Sequence, residues 1–228
     1  MPEDSKLPWE KIGPEYKKPM SRVGMLLDLD RCVGCHSCSV SCKTEHEVGL
    51  GVFRMRVRYM ERPEAKTLAF APLMCMHCED APCIKACPND ALVKMDDGRV
   101  IVKESKCDLD EECISACPYG AIFINEEKET AEKCDFCTHR TEVGLEPACA
   151  DSCPSSAIQF GDLNNPADPL AIKIKEKGAK AWKESEGTKP SVFYVGHEKW
   201  MEEKANKGVQ LDPKDEDITY EQNNLKDL

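Results

Sequence analysis

Fifteen cysteines fall into four local groups, and their spacing points to metal chemistry. Cys32, Cys35, Cys38 and Cys42 follow CxxCxxCxxxC. Cys75, Cys78, Cys83 and Cys87 repeat the run with a longer middle gap. Cys107, Cys113 and Cys117 keep the first group's spacing, with Asp110 in the slot of its second cysteine. Cys134, Cys137, Cys149 and Cys153 enclose a long middle loop. Three thiolates two residues apart on one tight loop can reach three irons of a cubane. The fourth starts a helix that leads away, so its sulfur reaches a second cluster and two groups trade their last cysteines. Soft thiolates suit iron and sulfide, and the ligands suffice for four clusters. Zinc also uses CxxC pairs, but repeated CxxCxxCxxxC runs closed by Cys-Pro are far more specific to iron–sulfur sites.

An internal repeat underlies these groups. "CMHCEDAPCIKACPNDAL", "CDLDEECISACPYGAI" and "CADSCPSSAI" all end in a cysteine, three residues, Cys-Pro, two residues, then a small and an apolar residue. The pairs are Cys83 with Cys87-Pro88, Cys113 with Cys117-Pro118 and Cys149 with Cys153-Pro154; Cys42 is followed by Lys43 instead. Proline there fits a sharp change of chain direction.

Composition agrees with metal as a structural element. Charged residues make up 32% of the 228-residue chain and aromatics only 6%, a thin supply of large apolar side chains for an ordinary core. Disulfides fit badly, because the cysteine count is odd and the groups are tight. A formal charge of −11 makes nucleic acid a poor partner. Each four-thiolate cubane adds a net charge of about −2. No apolar run is long enough to span a bilayer, and "MPEDSKLPWEKIGPEYKKP" carries no twin-arginine pair. The expectation is a soluble chain, cytoplasmic or exported on a partner that carries the signal.

The elements that position the cysteines read as follows. Residues 1–22 form an extended, proline-rich arm. "RVGMLLDLD" (22–30) is a buried strand leading into the first group, where a helix starts near Ser37 and ends before Gly49. "FRMRVRYME" (53–61) alternates, with Phe53, Met55, Val57 and Tyr59 on one face and Arg54, Arg56 and Arg58 on the other. The arginine face is either solvated or a docking surface for an acidic partner. "ALVKMDDGRVIV" (91–102) is a hairpin turning at Asp97-Gly98, and "AIFINEEKETAEKC" repeats it more loosely. "DLNNPADP" is a loop, "LAIKIKEKGAKAW" (170–182) a short helix and "SVFYVG" (191–196) a strand. The last thirty or so residues are a polar tail or an arm that orders on a partner.

With four groups in this order, the chain resembles the electron-transfer (beta) subunits of the DMSO reductase family of molybdenum or tungsten oxidoreductases. "GMLLDLDRCVGCHSC", "CMHCEDAPCIKACP" and "KCDFCTHR…PACADSCPS" carry the resemblance, which covers residues 22–200 or so. It implies an α+β fold of two ferredoxin-like modules with two clusters each. Residues 23–62 and 130–165 would form the first module and 63–129 a second one inserted in it. The arm (1–22) and the C-terminal region (166–228) would supply segments that wrap a partner. It also implies the ligand sets. Cys32, Cys35 and Cys38 would share a cluster with Cys153; Cys134, Cys137 and Cys149 with Cys42; Cys75, Cys78 and Cys83 with Cys117; Cys107, Asp110 and Cys113 with Cys87. The clusters would pass single electrons between a large catalytic subunit with a molybdenum or tungsten pterin and a membrane anchor or soluble electron carrier.

Asp110 is the departure. Either its carboxylate ligates the fourth iron of a [4Fe-4S] cluster, or the site holds [3Fe-4S] with Asp110 merely nearby, or Asp108 or Glu111 is the ligand instead. Carboxylate is a harder donor than thiolate and should set this cluster apart electrochemically. His36 and His77 stand inside cysteine loops, either as ordinary loop residues or as donors to cluster sulfur. Lys133 and Arg31 each precede a group and are either solvated or raise a cluster's potential by their charge. No Ser/His/Asp constellation, Walker loop or GxGxxG run is present, so catalysis belongs to a partner. Two other readings are a free-standing polyferredoxin or hydrogenase-linked subunit, and an iron–sulfur sensor or scaffold. A sensor needs one responsive site rather than four.

Overall fold

The computed structural model describes residues 20–62 and 67–206. Its first strand, β1 (Val23–Asp28), is buried along all six residues, as expected of a continuous apolar run covered on both faces. The chain continues through α1 (Ser37–His46), β2 (Met55–Arg62), β3 (Thr67–Met74), α2 (Pro82–Ala86), β4 (Leu92–Lys94), β5 (Val100–Val102) and α3 (Glu112–Ala116). Then follow β6 (Phe123–Asn125), β7 (Thr130–Glu132), α4 (Thr138–Thr141), α5 (Ala148–Asp151), β8 (Ile158–Asp162), α6 (Pro169–Lys177), β9 (Lys180–Ala181), β10 (Val192–Val195) and α7 (Lys199–Asn206).

Four strands form one sheet in the order β8-β1-β10-β9. Met25 of β1 stands opposite Phe160 of antiparallel β8 and opposite Val192 of parallel β10. One face of β1, through Val23, Met25 and Leu27, enters the main core, where most of the cysteines also lie. The other face packs Leu26 against Leu170 and Val195. The remaining strands pair as three separate hairpins, β2–β3, β4–β5 and β6–β7. The result is a mixed helix-and-sheet fold whose core intersperses cysteines among its large apolar residues.

The β4–β5 hairpin turns where the sequence places it. Gly98 takes φ 85°, and Asp97 Oδ1 accepts from Arg99 N at 3.1 Å while Oδ2 accepts from the Arg99 guanidinium at 2.7 Å. The helix expected over 170–182 stops earlier. Asp168 caps its start by accepting from Leu170 N at 2.8 Å, and Gly178 at φ 59° ends it at Lys177. Ala181 then pairs with Phe193 as part of β9. β10 is therefore part of the sheet, while the arm up to residue 19 and the tail past residue 206 lie outside the described residues.

The arginine face of β2 is a correction. A solvated stripe was one expectation, yet Arg54 is only 9% exposed and Tyr59 on the opposite face is 54% exposed. Arg54 Nε meets Glu132 Oε1 at 2.5 Å and its NH1 lies 3.1 Å from Asp135 Oδ1. Arg56 donates to Gly120 O at 2.7 Å, across the turn that follows Cys117. Period-two alternation assigns faces, but not which face meets the neighbouring loops. Here both faces are covered in part by cysteine loops.

Candidate metal centres

Each cysteine loop is wound by the same device. The residue just before the second ligand slot is left-handed in all four groups: Gly34 (φ 68°), His77 (φ 45°), Leu109 (φ 60°) and Phe136 (φ 58°). Non-glycine residues rarely adopt this conformation, so the recurrence marks one loop shape. Glycine is required in the first group for a second reason. A Cβ on Gly34 would stand 2.5 Å from the Phe70 ring. Tyr59 fixes the same loop by donating to Gly34 O at 2.6 Å. The third group keeps the shape around Asp110, since Leu109 and Glu111 (φ 60°) match Gly34 and His36 (φ 61°) of the first group.

The fourth cysteine does not start a helix. Cys87 and Cys117 cap the C-termini of α2 and α3, Cys153 follows α5, and Cys42 lies inside α1. The proline after the cap then blocks continuation of the helix, which turns the chain away. The small residue four places after the Cys-Pro cysteine also gains a reason. Ala91 N donates to Cys87 Sγ and Ala157 N to Cys153 Sγ, both at 3.3 Å, and the Ala121 backbone N–H bonds Cys117. All three alanines are buried, so a larger side chain there would have to displace its neighbours.

The structure brings the sulfurs of different groups together. Cys75, Cys78, Cys83 and Cys117 line one cavity. Cys87, Cys107, Cys113 and Asp110 line another, along with Asp108 and Glu111. Cys42 is close enough to Cys137 and Cys134 for their charges to interact, and Cys149 interacts with Cys137 and Cys42. Cys32 interacts with Cys153 and Cys35, and Cys38 with Cys32 and Cys153. The helices follow suit: α1 packs on α5 and α2 on α3.

None of the fifteen cysteines is in a disulfide, and most are buried; Cys35 alone is exposed. Burial, followed by neighbouring sulfur, pushes Cys83 up to about 12 and Cys113 up to about 11. Cys134 and Cys149 lie well above the usual range for the same reasons. Packed thiols of this kind ionise only against bound cations, and soft, multiply charged iron suits such a donor set. Cys153 is shifted the other way. Burial raises its pKa, but the Ser155 hydroxyl and several backbone N–H groups outweigh that and lower it.

Asp110 is exposed, and its Oδ2 accepts from Asn89 Nδ2 at 2.5 Å. His36 is a half-buried loop residue, hydrogen-bonded to Tyr59 at 2.9 Å. His77 is buried; its Nδ1 accepts from Val100 N at 3.0 Å. Lys133 is 3% exposed, which overturns the solvated reading of this residue, and its Nζ donates to Val100 O and Cys134 O. Sequence reasoning missed His46, whose Nε2 stands 3.1 Å from Cys137 Sγ. Burial first, and the nearby Arg54 charge second, lower its pKa to about 4. The available signal was its place four residues after Cys42 on one helix.

A 4Fe-4S dicluster domain model matches residues 66–163, and a second model of the same description matches residues 24–88. A tetrathionate reductase subunit of Salmonella typhimurium is 42% identical, over 78% of this chain and 74% of its own length. The chain belongs to the iron–sulfur electron-transfer subunits of the DMSO reductase family. Also similar are a putative dimethyl sulfoxide reductase iron-sulfur subunit from Halobacterium salinarum and an arsenate respiratory reductase iron-sulfur subunit from Shewanella. The first is 36% identical over 78% of this chain and 80% of its own length; the second is 33% identical over 76% and 96%. As an electron-transfer subunit of this family, the chain needs no catalytic constellation of its own. Among the described residues no helix is long and apolar enough to cross a membrane.

Proposed function

We propose that this electron-transfer subunit carries four iron–sulfur clusters. They would relay single electrons between a large catalytic subunit with a molybdenum or tungsten pterin and a distant membrane anchor or soluble carrier. The carrying observation is the gathering of sulfurs from separate groups, with Cys75, Cys78, Cys83 and Cys117 round one cavity and Cys87, Cys107, Asp110 and Cys113 round the next. The other two sets are Cys32, Cys35, Cys38 with Cys153, and Cys134, Cys137, Cys149 with Cys42; sulfur–sulfur charge interactions within each support them and exceed those that Cys38 makes across to Cys42 and Cys149. Bound clusters supply one-electron redox centres. The protein holds the thiolates, excludes water from the buried sulfurs and directs backbone N–H groups at the three Cys-Pro sulfurs.

The packing of α1 on α5 and of α2 on α3 supports two modules, 63–129 lying within 23–62 and 130–165. Three sites take [4Fe-4S] with cysteine ligands alone. At the fourth, Asp110 takes the cysteine slot of a [4Fe-4S] cluster, because its loop repeats the left-handed turns around Cys35. A [3Fe-4S] cluster is the second reading, favoured by the exposure of Asp110 and its bond to Asn89. The matched relatives carry names of reductase subunits, which favours a complex over a free polyferredoxin.

Anaerobic native purification with metal analysis tests the proposal. A co-purifying large subunit containing molybdenum or tungsten is the expected result. Iron alone on a lone chain would leave the free carrier as the better account.

A further inference from the structure

One face of α1 presents two groups to a single site. Cys42 and His46 are four residues apart, hence stacked one turn from each other on the same side of the helix. Cys42 lies among Cys134, Cys137 and Cys149. His46 Nε2 stands 3.1 Å from Cys137 Sγ. The imidazole is 7% exposed, and the nearest carboxylate oxygen, Asp135 Oδ1, is 3.8 Å from the same nitrogen, beyond hydrogen-bond reach. That oxygen is occupied elsewhere: it accepts from Cys137 N at 2.9 Å and lies 3.1 Å from Arg54 NH1. The His139 ring meets His46 edge-on, with centroids 5.2 Å apart. The sulfur is therefore the polar partner toward which Nε2 is held.

A metal-bound thiolate has no proton and can only accept. The shared hydrogen then belongs to Nε2, in the neutral ring as in the charged one. Hydrogen bonds to cluster sulfur stabilise the more negative, reduced state and so raise the potential. We propose that His46 is a tuning residue, whose Nε2–H donates to Cys137 and raises the midpoint potential of the cluster held by Cys42, Cys134, Cys137 and Cys149. This rests on the ligand sets proposed above. The helix that supplies the exchanged thiolate thus also supplies a donor to another thiolate of the same cluster.

The test is a redox titration followed by electron paramagnetic resonance on the anaerobically purified complex. Wild type, His46→Phe, His46→Gln and Cys137→Ser are compared, with iron content measured in each. His46→Phe should lower one midpoint and leave the other three in place. His46→Gln, which keeps an N–H donor, should recover much of the shift. Cys137→Ser should alter the signal that His46→Phe moves. If Cys137→Ser alters a signal whose midpoint His46→Phe leaves unchanged, the tuning role is overturned while the ligand sets stand. If Cys137→Ser alters no signal, the ligand sets fail and the inference with them. Should His46→Phe lose iron, pulsed resonance on wild type labelled with ¹⁵N-histidine decides. A weak nitrogen coupling to the reduced cluster upholds the donor, and its absence overturns it.

Discussion

His77 lies nearly flat on Phe136, with ring centroids 3.8 Å apart and planes inclined by 21°. Both rings are buried, and each belongs to the left-handed residue of its own cysteine loop. The second and fourth groups therefore touch through the residues that wind them. Phe160 of β8 meets Phe136 edge-on, at 5.5 Å between centroids. Removing the ring opens a void where two loops are shaped. Phe136→Ala should cost about 3–5 kcal/mol, in the range of buried Phe truncations, and Phe136→Leu distinctly less. A fall in the apparent melting temperature of the cluster-loaded protein, ordered Ala below Leu below wild type, is the expected outcome.

Lys133 places a buried ammonium at this junction. It bonds the carbonyls of Val100 and Cys134, and its charge favours the thiolate of Cys83. Removing a buried unit charge that acts on a cluster thiolate should shift a one-electron couple by tens of millivolts. Lys133→Met should lower the midpoint of the cluster proposed on Cys75, Cys78, Cys83 and Cys117. Potentiometric titration of the variant complex reads this directly.

Arg54, Glu132 and Asn125 form a buried polar knot linking the residue before β2 to the β6–β7 hairpin. Arg54 Nε meets Glu132 Oε1, and Asn125 Nδ2 donates to Glu132 Oε2. Breaking one partner leaves a buried charge uncompensated, at about 3–5 kcal/mol. Arg54→Met should therefore destabilise strongly. The Arg54→Met, Glu132→Leu pair should fall well short of the sum of the two single changes. Denaturant midpoints of the four proteins would test that non-additivity.

Asp110→Cys should convert the third group into the pattern of the first and give an ordinary four-iron signal. Asp110→Ala should leave a three-iron signal there. If the Cys variant's spectrum matches wild type, Asp110 does not occupy the ligand slot.

Much of this was legible in the sequence because cysteine spacing is a strong local code. The β4–β5 turn at Asp97-Gly98, β1 and β10 were equally plain, since turn chemistry and apolar runs act locally. What stayed hidden depends on distant partners. Arg54 looked solvated because its carboxylates, Glu132 and Asp135, follow some eighty residues later. The periodic run over 170–182 hid a cap at Gly178, beyond which Ala181 pairs with Phe193, a partner twelve residues further on. His46 carried no motif, and its closeness to Cys137 comes from the packing of α1 against the fourth group.

The position of β1 sets a timetable for making the molecule. Both its neighbours come late: β8 pairs through Ile158–Asp162 and β10 through Val192–Val195. On a ribosome, β1 emerges early as an apolar strand with two unpaired edges, and it stays so until most of the chain has been translated. The second and third groups, between Cys75 and Cys117, need no later cysteine to close their two cavities. The middle of the chain can thus finish first, while the earliest strand waits longest and most needs shielding from other nascent chains.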